Sequence, residues 1–215
     1  MGLLAKGTPA WLLAAPLVMA ISAAVTYLLL GALWLLWAHL GLALTLMVPM
    51  LFFRDPDRTI GKGIVSPADG KVRSIVTIGG QVRISIFMNV HNVHVNRAPM
   101  GGTITRIEHL SGGFVPAFKK ESDRNERVHT TMAGPGGRFE VVQIAGTVAR
   151  RIVPYRKVGD SLEKGDRIGL IRFGSRVDVA FSLPNGHRVL VREGDRVLAG
   201  ATTLAGRSGK GGMVR

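Results

Sequence analysis

A long apolar run followed by short alternating segments is the main pattern along this chain. From Ala10 to Phe53 there is no Asp, Glu, Lys or Arg, and Leu, Ala, Val, Met and Trp dominate. A helix needs about 20 apolar residues to cross a bilayer once, so the run predicts two short spans or one long tilted one. We expect residues 1–53 to form a hydrophobic helical membrane anchor. A secretory signal peptide is the alternative, but the run exceeds such a peptide's apolar core and lacks a clear cleavage site.

Basic residues flank the apolar run on both sides, with Lys6 before it and Arg54 directly after it. If both flanks obey the positive-inside tendency, the chain enters the membrane and returns. The reversal is then expected near Gly31 or around His39 and Gly41. Both ends would face the cytoplasm, which predicts a protein of the cell (inner) membrane whose remaining domain is cytoplasmic.

After the anchor, the pattern changes to short strands. Residues 54–63 are polar and rich in turn formers, so they predict a linker to a domain at 64–215. Seven segments beyond it alternate apolar and polar residues between Gly, Pro, Asn or Asp, as β-strands do. These segments are Val72–Ile78, Val82–Val90, Gly102–His109, Phe139–Ala149, Arg167–Arg172, Val177–Ser182 and His187–Arg192. No long helical period competes with them, so we expect a mainly β domain.

Two similar phrases, starting at Val158 and at Glu193, each place a Gly-Asp turn before a short apolar strand. They resemble the half-motifs of barrel-sandwich folds, the shape of lipoyl and biotinyl carrier domains. The expected architecture is therefore a barrel-sandwich-like β domain behind the helical anchor. A carrier would need a lysine between the two halves, where this chain has Phe173-Gly-Ser-Arg176, so a carrier role is not expected.

Positive charge is concentrated in the β domain. The net charge is +14, and all but one of the 28 Lys and Arg follow residue 53, as do all 14 acidic residues. Nucleic acid is one partner for such a charge, and a solvated basic face with no partner is another interpretation. An anionic membrane surface is favoured, because basic groups beside a membrane gain about 1 kcal/mol each there. The absence of cysteine excludes disulfides and thiolate chemistry.

The alternation of apolar residues slips by one position near Asn92. Apolar residues alternate up to Val90 and resume at Val93 out of phase, so one extra residue must be absorbed by a β-bulge or a short turn. In an unbroken strand His91 and His94 would point to opposite faces. With the slip, both histidines are expected to share one side.

Two histidines on one side favour acid/base chemistry, with metal ligation or a surface position without a role as alternatives. His-x-x-His is a weak metal signal and no third ligand is marked by spacing, so we expect no metal. An acid/base histidine needs an orienting group. Asp69, in the turn Ser66-Pro-Ala-Asp-Gly70, can accept a hydrogen bond from an imidazole, although Asp-Gly is also a common turn pair.

The dipeptide Gly174-Ser175 has a chemical interpretation beside its ordinary use as a turn. Glycine leaves its carbonyl unshielded, so a deprotonated Ser175 oxygen can attack the Gly174 carbonyl and form an ester by N-to-O acyl shift. β-Elimination of that ester releases a chain ending at Gly174 and leaves dehydroalanine. Dehydroalanine then hydrolyses to a pyruvoyl group.

Four motifs in this order resemble the phosphatidylserine decarboxylase family in its short prokaryotic, pyruvoyl-dependent form. They are Ser66-Pro-Ala-Asp-Gly70, Val90-His-Asn-Val-His-Val-Asn-Arg-Ala-Pro99, Asn125-Glu-Arg127 and Phe173-Gly-Ser175. The resemblance covers residues 54–205. It implies a proenzyme that cuts itself between Gly174 and Ser175 into chains 1–174 and 175–215, which remain associated.

The resemblance also implies roles for individual residues. Asp69, His94 and Ser175 match the family's self-cleavage residues, and His91 matches one implicated in decarboxylation. The pyruvoyl group made from Ser175 would replace pyridoxal phosphate and form a Schiff base with phosphatidylserine. The products would be phosphatidylethanolamine and CO2, a step of phospholipid biosynthesis.

Arg97 and Arg127 are candidates for binding the lipid phosphate, because they lie within the matching motifs and guanidinium groups suit phosphate. Many members of the family carry Leu-Gly-Ser-Thr at the cut, whereas this chain has Arg176 after the serine, which leaves that arginine without an inferred role.

Two other functions remain open. One is a membrane-anchored barrel-sandwich adaptor without catalysis, although such a protein would carry a long helical hairpin between its half-motifs. The other is a decarboxylase of a different serine phospholipid, such as an ether lipid, because the inferred residues act on the headgroup and not on the tails. In either case we expect no nucleic-acid partner.

Overall fold

The computed structural model describes residues 4–6, 8, 10–30, 33–113, 115, 124–146, 151–172 and 175–207. The chain divides into two compact units, Met1–Pro56 and Asp57–Arg215. In the described residues the first unit contains the helices and the second contains the β-strands.

Two apolar helices form the first unit: α1 spans Ala10–Leu30 and α2 spans Leu33–Phe52. Within α1, the window Leu12–Leu29 has a mean hydropathy of 2.1 and is long enough to cross a membrane. The described apolar part of α2, Trp34–Leu46, is shorter. Of the two arrangements that the sequence allows for residues 1–53, the described residues therefore form two helices and not one long one.

Helix α1 ends at Leu30 and helix α2 begins at Leu33. Helix α2 continues without interruption through His39 and Gly41, so the expectation of a reversal there is wrong. The other candidate for the reversal, Gly31, lies outside the described residues.

The large apolar side chains of these helices point mostly outward. Leu28 is 79% exposed and Trp37 is 74% exposed, which suits a lipid environment better than water. Both ring nitrogens of His39 have partners within the unit: Nε2 lies 3.1 Å from Ser22 Oγ, and Nδ1 lies 2.9 Å from Leu35 O. Such interhelical hydrogen bonds are typical of helices packed inside membranes.

The second unit is mainly β, as the sequence predicts. Its strands are β1 Ile64–Val65, β2 Gly70–Ile78, β3 Gln81–Met88, β4 Val95–Arg97, β5 Gly102–Leu110, β6 Arg127–Gly134, β7 Gly137–Ala145, β8 Arg151–Pro154, β9 Ser161–Leu162, β10 Arg167–Arg172, β11 Ser175–Ser182, β12 His187–Val189, β13 Arg196–Val197 and β14 Thr203–Arg207. All seven expected strands are present; β10 has the expected ends, and the other six are shifted at one or both ends.

Eight strands form one curled, half-barrel sheet in the order β13-β2-β3-β11-β7-β6-β5-β9. Two three-stranded sheets, β1-β14-β12 and β4-β10-β8, complete the unit. The strand β11 lies near the centre of the large sheet between β3 and β7, and both pairings are antiparallel. Its inward residues are almost fully buried: Ser175, Val177, Val179 and Phe181.

Among the described strands longer than five residues, sequence patterning missed β6; the other strands outside the expected set are shorter: β1, β4, β8, β9, β13 and β14. The inward positions of β6 are Val128, Thr130 and Met132, and each is at most 4% exposed. Because a threonine interrupts the inward apolar set, the segment lacks the alternation that marks the other long strands.

The repeated Gly-Asp phrases form turns with one shared geometry. Asp160, Asp166 and Asp195 each accept a hydrogen bond from the backbone N–H three residues earlier, at 3.1, 3.1 and 2.7 Å. The glycine before each aspartate has a positive φ of 93°, 89° or 95°, a conformation that favours glycine. Each turn leads into a strand, as the two phrases predict.

Candidate active site

The expected cleavage point lies where the chain passes from one sheet to another. Strand β10 ends at Arg172 in a three-stranded sheet, and β11 begins at Ser175 in the large sheet. Gly174, the other half of the expected cleavage point, lies outside the described residues. Ser175 is therefore the first residue of a central strand that is paired on both sides.

Ser175 is completely buried. It pairs with Met88 on β3 and with Ala145 on β7, and its exposure is 0%. Its Oγ donates to the Met88 thioether sulfur over 3.3 Å. Sulfur is a weak acceptor, so this contact shields the hydroxyl from water without binding it strongly.

A buried amide pair supports Met88 from the other side. Asn96 Nδ2 lies 3.8 Å from the Met88 sulfur, and Gln143 Nε2 donates to Asn96 Oδ1 over 2.8 Å. Both amides are at most 1% exposed. Sequence reasoning missed this pair, although Gln143 gives a signal as a polar residue at an inward position of β7 between Val141 and Ala145.

The two histidines do not share one side, which corrects the expectation from the sequence. Strand β3 ends at Met88, and a turn follows in which Asn92 N–H donates to Asn89 O over 2.9 Å. His91 lies exposed in this turn, whereas His94 is 0% exposed. The out-of-phase residue is thus absorbed by a short turn and not by a bulge, and a turn does not preserve the alternation of side chains.

His94 is fixed by backbone groups. Its Nδ1 lies 2.8 Å from Asn92 O, and because a carbonyl only accepts, Nδ1 carries the proton. A neutral imidazole then has its lone pair on Nε2, the arrangement required of a general base. The His94 carbonyl accepts from Ile171 N–H at 3.3 Å, so this histidine is tied to β10 close to its end at Arg172.

Asp69 is also buried, but its partner is not an imidazole. Arg58 donates to it twice, from Nη1 over 2.5 Å and from Nη2 over 2.8 Å, and Ala199 N–H donates over 2.8 Å. The expected contact with a histidine is not among the hydrogen bonds of the described residues. The orienting group of His94 is the Asn92 carbonyl instead, and Arg58 is a site neighbour that the sequence had placed in the linker.

The two arginines expected to bind phosphate differ in exposure. Arg97 is 5% exposed, and its Nη1 donates to Gly165 O over 3.2 Å. Arg127 is half-buried, and its Nη1 donates to Asn125 O over 3.2 Å. Arg127 therefore keeps more surface open to solvent, and the burial of Arg97 argues against its expected role in binding phosphate.

The motif Asn125-Glu-Arg127 supports the strand beside Ser175. Asn125 is fully buried, and its Nδ2 donates to Ala145 O over 2.7 Å and to Val115 O over 2.6 Å. Because Ala145 pairs with Ser175, this asparagine holds the backbone next to the expected cut.

Arg176 pairs with Asp178 on the opposite face of β11. The guanidinium Nε lies 3.0 Å from Oδ1, and Nη2 donates to Oδ2 over 3.1 Å. Burial raises the pKa of the Asp178 carboxyl above its ordinary value, and the nearby Arg176 only partly opposes this effect. Arg176 therefore has a structural contact that the sequence did not indicate.

In the part of the chain that the structure describes, no three His, Asp or Glu side chains come together as metal ligands.

Comparison with known proteins gives a consistent result. The family model described as phosphatidylserine decarboxylase matches residues 48–205. The chain is 56% identical over 155 residues to a phosphatidylserine decarboxylase proenzyme of Streptomyces avermitilis, covering 71% of each chain. It is 44% identical over 206 residues to a protein of Methanosarcina barkeri provisionally named archaetidylserine decarboxylase proenzyme, covering 94% of this chain and 98% of the relative. A Methanosarcina acetivorans protein of the same name is 46% identical over 207 residues, covering 94% and 96%.

Proposed function

Because this chain belongs to the phosphatidylserine decarboxylase family, we propose that it is a membrane-tethered proenzyme that cuts itself before Ser175 and decarboxylates a serine phospholipid. The observation that carries the proposal is the position of Ser175. Ser175 is a buried serine that starts a central strand directly after a change of sheet. His94, whose Nδ1 is bonded to the Asn92 carbonyl, is tied by its own carbonyl to β10, the strand that precedes the expected cut.

Self-cleavage begins when His94 Nε2 takes the proton of the Ser175 hydroxyl. The hydroxyl oxygen then bonds to the Gly174 carbonyl carbon, the peptide C–N bond breaks, and the nitrogen takes up a proton. Loss of the α-proton of residue 175 and of the ester oxygen releases Gly174 as a carboxylate. The remaining dehydroalanine takes up water and loses ammonia, leaving a pyruvoyl group. Burial of Ser175 supports this sequence, because it keeps competing water away from the ester.

Asp69 contributes to self-cleavage through charge and position rather than through a direct bond to the base. Its carboxylate is held by both Arg58 nitrogens and by Ala199 N–H. A carboxylate fixed in this way supplies a negative charge of constant position, which is the contribution that we assign to Asp69.

The two fragments would stay together after the cut. The fragment 175–215 contributes β11, which pairs with β3 and β7 of the other fragment along most of its length. Removing it would open the core of the large sheet.

A pyruvoyl carbonyl at residue 175 supplies an electrophile for the substrate's primary amine and an electron sink for the carbon that loses CO2. We assign to His91 the handling of the carboxylate or of the proton delivered to the former α-carbon. Its exposure supports this assignment, since a lipid headgroup must be reached from outside. Arg127 is the better of the two candidates for the phosphate because it retains exposed surface.

Membrane tethering suits this substrate, because a diacyl lipid stays in the bilayer and the site must come to it. The window Leu12–Leu29 supports the tether. We place the β unit on the cytoplasmic side of the cell membrane, because basic residues flank the helices at both ends.

An ether-linked serine phospholipid is a second candidate substrate. The observation in its favour is that relatives named for archaetidylserine align with 94% of this chain, whereas the Streptomyces avermitilis relative aligns with 71%. Turnover of ester-linked and ether-linked serine phospholipids in the same detergent separates the two. Equal rates would mean that the enzyme reads the headgroup alone.

The substitution Ser175→Ala tests the proposal, because it removes the attacking oxygen and changes the core by a single atom. The variant should run on a denaturing gel as one band near 23.1 kDa, the mass of the whole chain, and should lack activity. Wild type should give two bands. Ser182→Ala, at the exposed end of the same strand, is the matched control and should be cut normally. A Ser175→Ala variant that is cut, or wild type that remains one band, contradicts the proposal.

A further inference from the structure

A row of basic residues crosses the outer face of the large sheet beside the expected cut. Paired residues of antiparallel strands project to the same face. The register pairs Arg196 with Lys71, Lys71 with Phe87, and Phe87 with Arg176. Because Ser175 on one side of Arg176 and Val177 on the other face the core, this row projects away from the core. It is exposed at Lys71 and Arg196 and mostly buried at Arg176.

A cleft of about 270 Å³ opens along this row, and we call it the basic cleft. It is lined by Lys71, Val72, Arg73, Phe87 and Gly194. The register of β2 shifts between Val72 and Ser74, so Arg73 is the extra residue of a bulge, a feature that re-aims side chains. On the other side, the turn at Gly194 is fixed to β2, because Gly194 N–H donates to Val72 O over 2.8 Å.

The cations of the basic cleft have no internal partner. Lys71, Arg73 and the flanking Arg196 are exposed, and in the described part of the chain none of the three side chains forms an ion pair or hydrogen bond. Arg176, in contrast, is neutralised by Asp178.

The carboxylates of the two acidic residues beside the cleft accept hydrogen bonds from backbone N–H groups. Glu193 accepts from Ile75 N–H at 3.0 Å, and Asp195 accepts from Arg192 N–H at 2.7 Å. Neither is paired with a cleft cation. Lys71 and Arg73 therefore line the cleft beside the half-buried Phe87 without direct neutralisation, and Arg196 flanks them as the strand partner of Lys71. A compact array of cations without acidic partners attracts anions.

We propose that the basic cleft docks the β unit onto anionic phospholipid headgroups at the bilayer surface. Cations that contact an anionic leaflet, with an aromatic side chain at the same level, are the combination that binds a membrane interface. The cleft also lies one residue from the reaction centre, because Phe87 precedes Met88, the partner of Ser175. Docking would therefore bring the start of β11 to the lipid surface. The inference rests on the proposed membrane function but not on the decarboxylation step.

Single-site labelling tests the docking directly, because the chain contains no cysteine. The full chain is reconstituted in phosphatidylcholine nanodiscs, with or without phosphatidylglycerol, that also contain a lipid with a nitroxide on its headgroup. A fluorophore is placed at Leu198→Cys, two residues after Arg196, or at Val158→Cys. The two positions are 50% and 56% exposed, and they lie next to β13 and β9, which form opposite edges of the large sheet. They therefore form a pair of labels that are matched in exposure and differ in their place on the sheet.

We expect the Leu198 label to be quenched in anionic nanodiscs and the Val158 label to be quenched much less. Raised salt should weaken the quenching at Leu198, because it screens exposed charges. The combined change Lys71→Glu, Arg73→Glu and Arg196→Glu should lower the ratio of docked to undocked protein by on the order of 100-fold, at about fivefold per cation. Charge reversal at Arg138, exposed on β7, serves as the control and should have no such effect.

Equal quenching at both positions would overturn the inference. So would quenching at Leu198 that persists both in nanodiscs of phosphatidylcholine alone and in the triple charge-reversal variant. Cleavage and turnover are measured in the same samples. Charge-dependent quenching in a chain that is never cut would reject the proposed function and retain the docking. A chain that is cut and active without charge-dependent quenching would reject the docking and retain the proposed function.

Discussion

His91 and His94 are three residues apart and lie in opposite environments. His94 is fully buried, with its tautomer set by the Asn92 carbonyl and its backbone bonded to β10. His91 is exposed in the turn that precedes it. Under the proposed function this difference assigns the two histidines to different steps. Attack on the chain's own backbone needs a dry interior, whereas a lipid headgroup must be reached from the surface.

The buried interior around Ser175 contains a connected cluster of side chains. Ser175, Met88, Asn96 and Gln143 are each at most 1% exposed and follow one another through contacts of 3.3, 3.8 and 2.8 Å. Buried polar groups that satisfy one another specify a single arrangement. We therefore expect changes inside the cluster to affect the cut, and changes at the surface turn to affect turnover.

The largest effect should follow from His94→Ala. Loss of the base should slow self-cleavage by about 100-fold to 10,000-fold, measured by following the two fragments on a gel after synthesis. Added imidazole should restore part of the rate by filling the space that the side chain left. A variant that folds, as judged by circular dichroism, and is cut at the wild-type rate would remove His94 from the mechanism.

His91→Ala should give the opposite pattern. The exposed side chain leaves no core cavity, so cleavage should proceed normally while decarboxylation of the cleaved protein falls by about 100-fold or more. The measurement is CO2 release per mole of small fragment. His187→Ala, a half-buried histidine on β12, is the control for nonspecific loss. If cleaved His91→Ala keeps full activity, the division between the two histidines is wrong.

Arg58→Gln should have a smaller effect on the interior side. Removing one partner of a buried ion pair destabilises by about 3 kcal/mol, and the side chains of Arg58 and Asp69 are only 12% and 5% exposed. Cleavage should slow because Asp69 loses the group that fixes it. Arg58→Lys keeps the positive charge but loses the two-point contact. Its stability and its cleavage rate should lie between those of wild type and Arg58→Gln.

Arg188→Gln, exposed on β12, should leave both stability and cleavage unchanged. Wild-type cleavage in a folded Arg58→Gln chain would show that Asp69 does not depend on this arginine.

The smallest expected effect is a change in stability with pH that depends on Asp178, whose side chain projects from β11 away from the core. Burial raises the pKa of its carboxyl above the ordinary 3.8, so the folded chain takes up this proton at a higher pH than the unfolded chain. Ionised Asp178 therefore lowers the free energy of unfolding at neutral pH, and this penalty fades as pH falls through the raised folded pKa towards 3.8.

Asp178→Asn removes this titration, and it also removes the carboxylate that pairs with Arg176, so the test is the change with pH. The free energy of unfolding of wild type, relative to that of Asp178→Asn, should rise as pH falls towards 3.8. Denaturant-dependent proteolysis at a series of pH values measures both. A relative stability that does not change with pH, or that falls as pH falls, would contradict the prediction.

The β architecture could be predicted because inward and outward residues alternate clearly in most strands. In β11, for example, Val177, Val179 and Phe181 occupy successive inward positions. The strand β6 could not, because Thr130 stands where the pattern needs an apolar residue.

The site was predicted less completely, for reasons of geometry. Periodicity shows that a residue is out of phase but does not distinguish a bulge from a turn, and only the bulge would have put both histidines on one side. The pairing of Arg58 with Asp69 is also invisible in the sequence, because it depends on how a polar linker folds back. Ser175 was found through the chemistry of its dipeptide and its family resemblance, and the structure adds its burial.

Intact mass of freshly purified wild-type protein tests the central claim most directly. The account predicts two chains, residues 1–174 and 175–215, with the shorter one lacking the serine nitrogen and carrying a ketone at its first residue. A single continuous chain of 23.1 kDa with an unmodified serine, from protein shown to be folded in lipid, would contradict it.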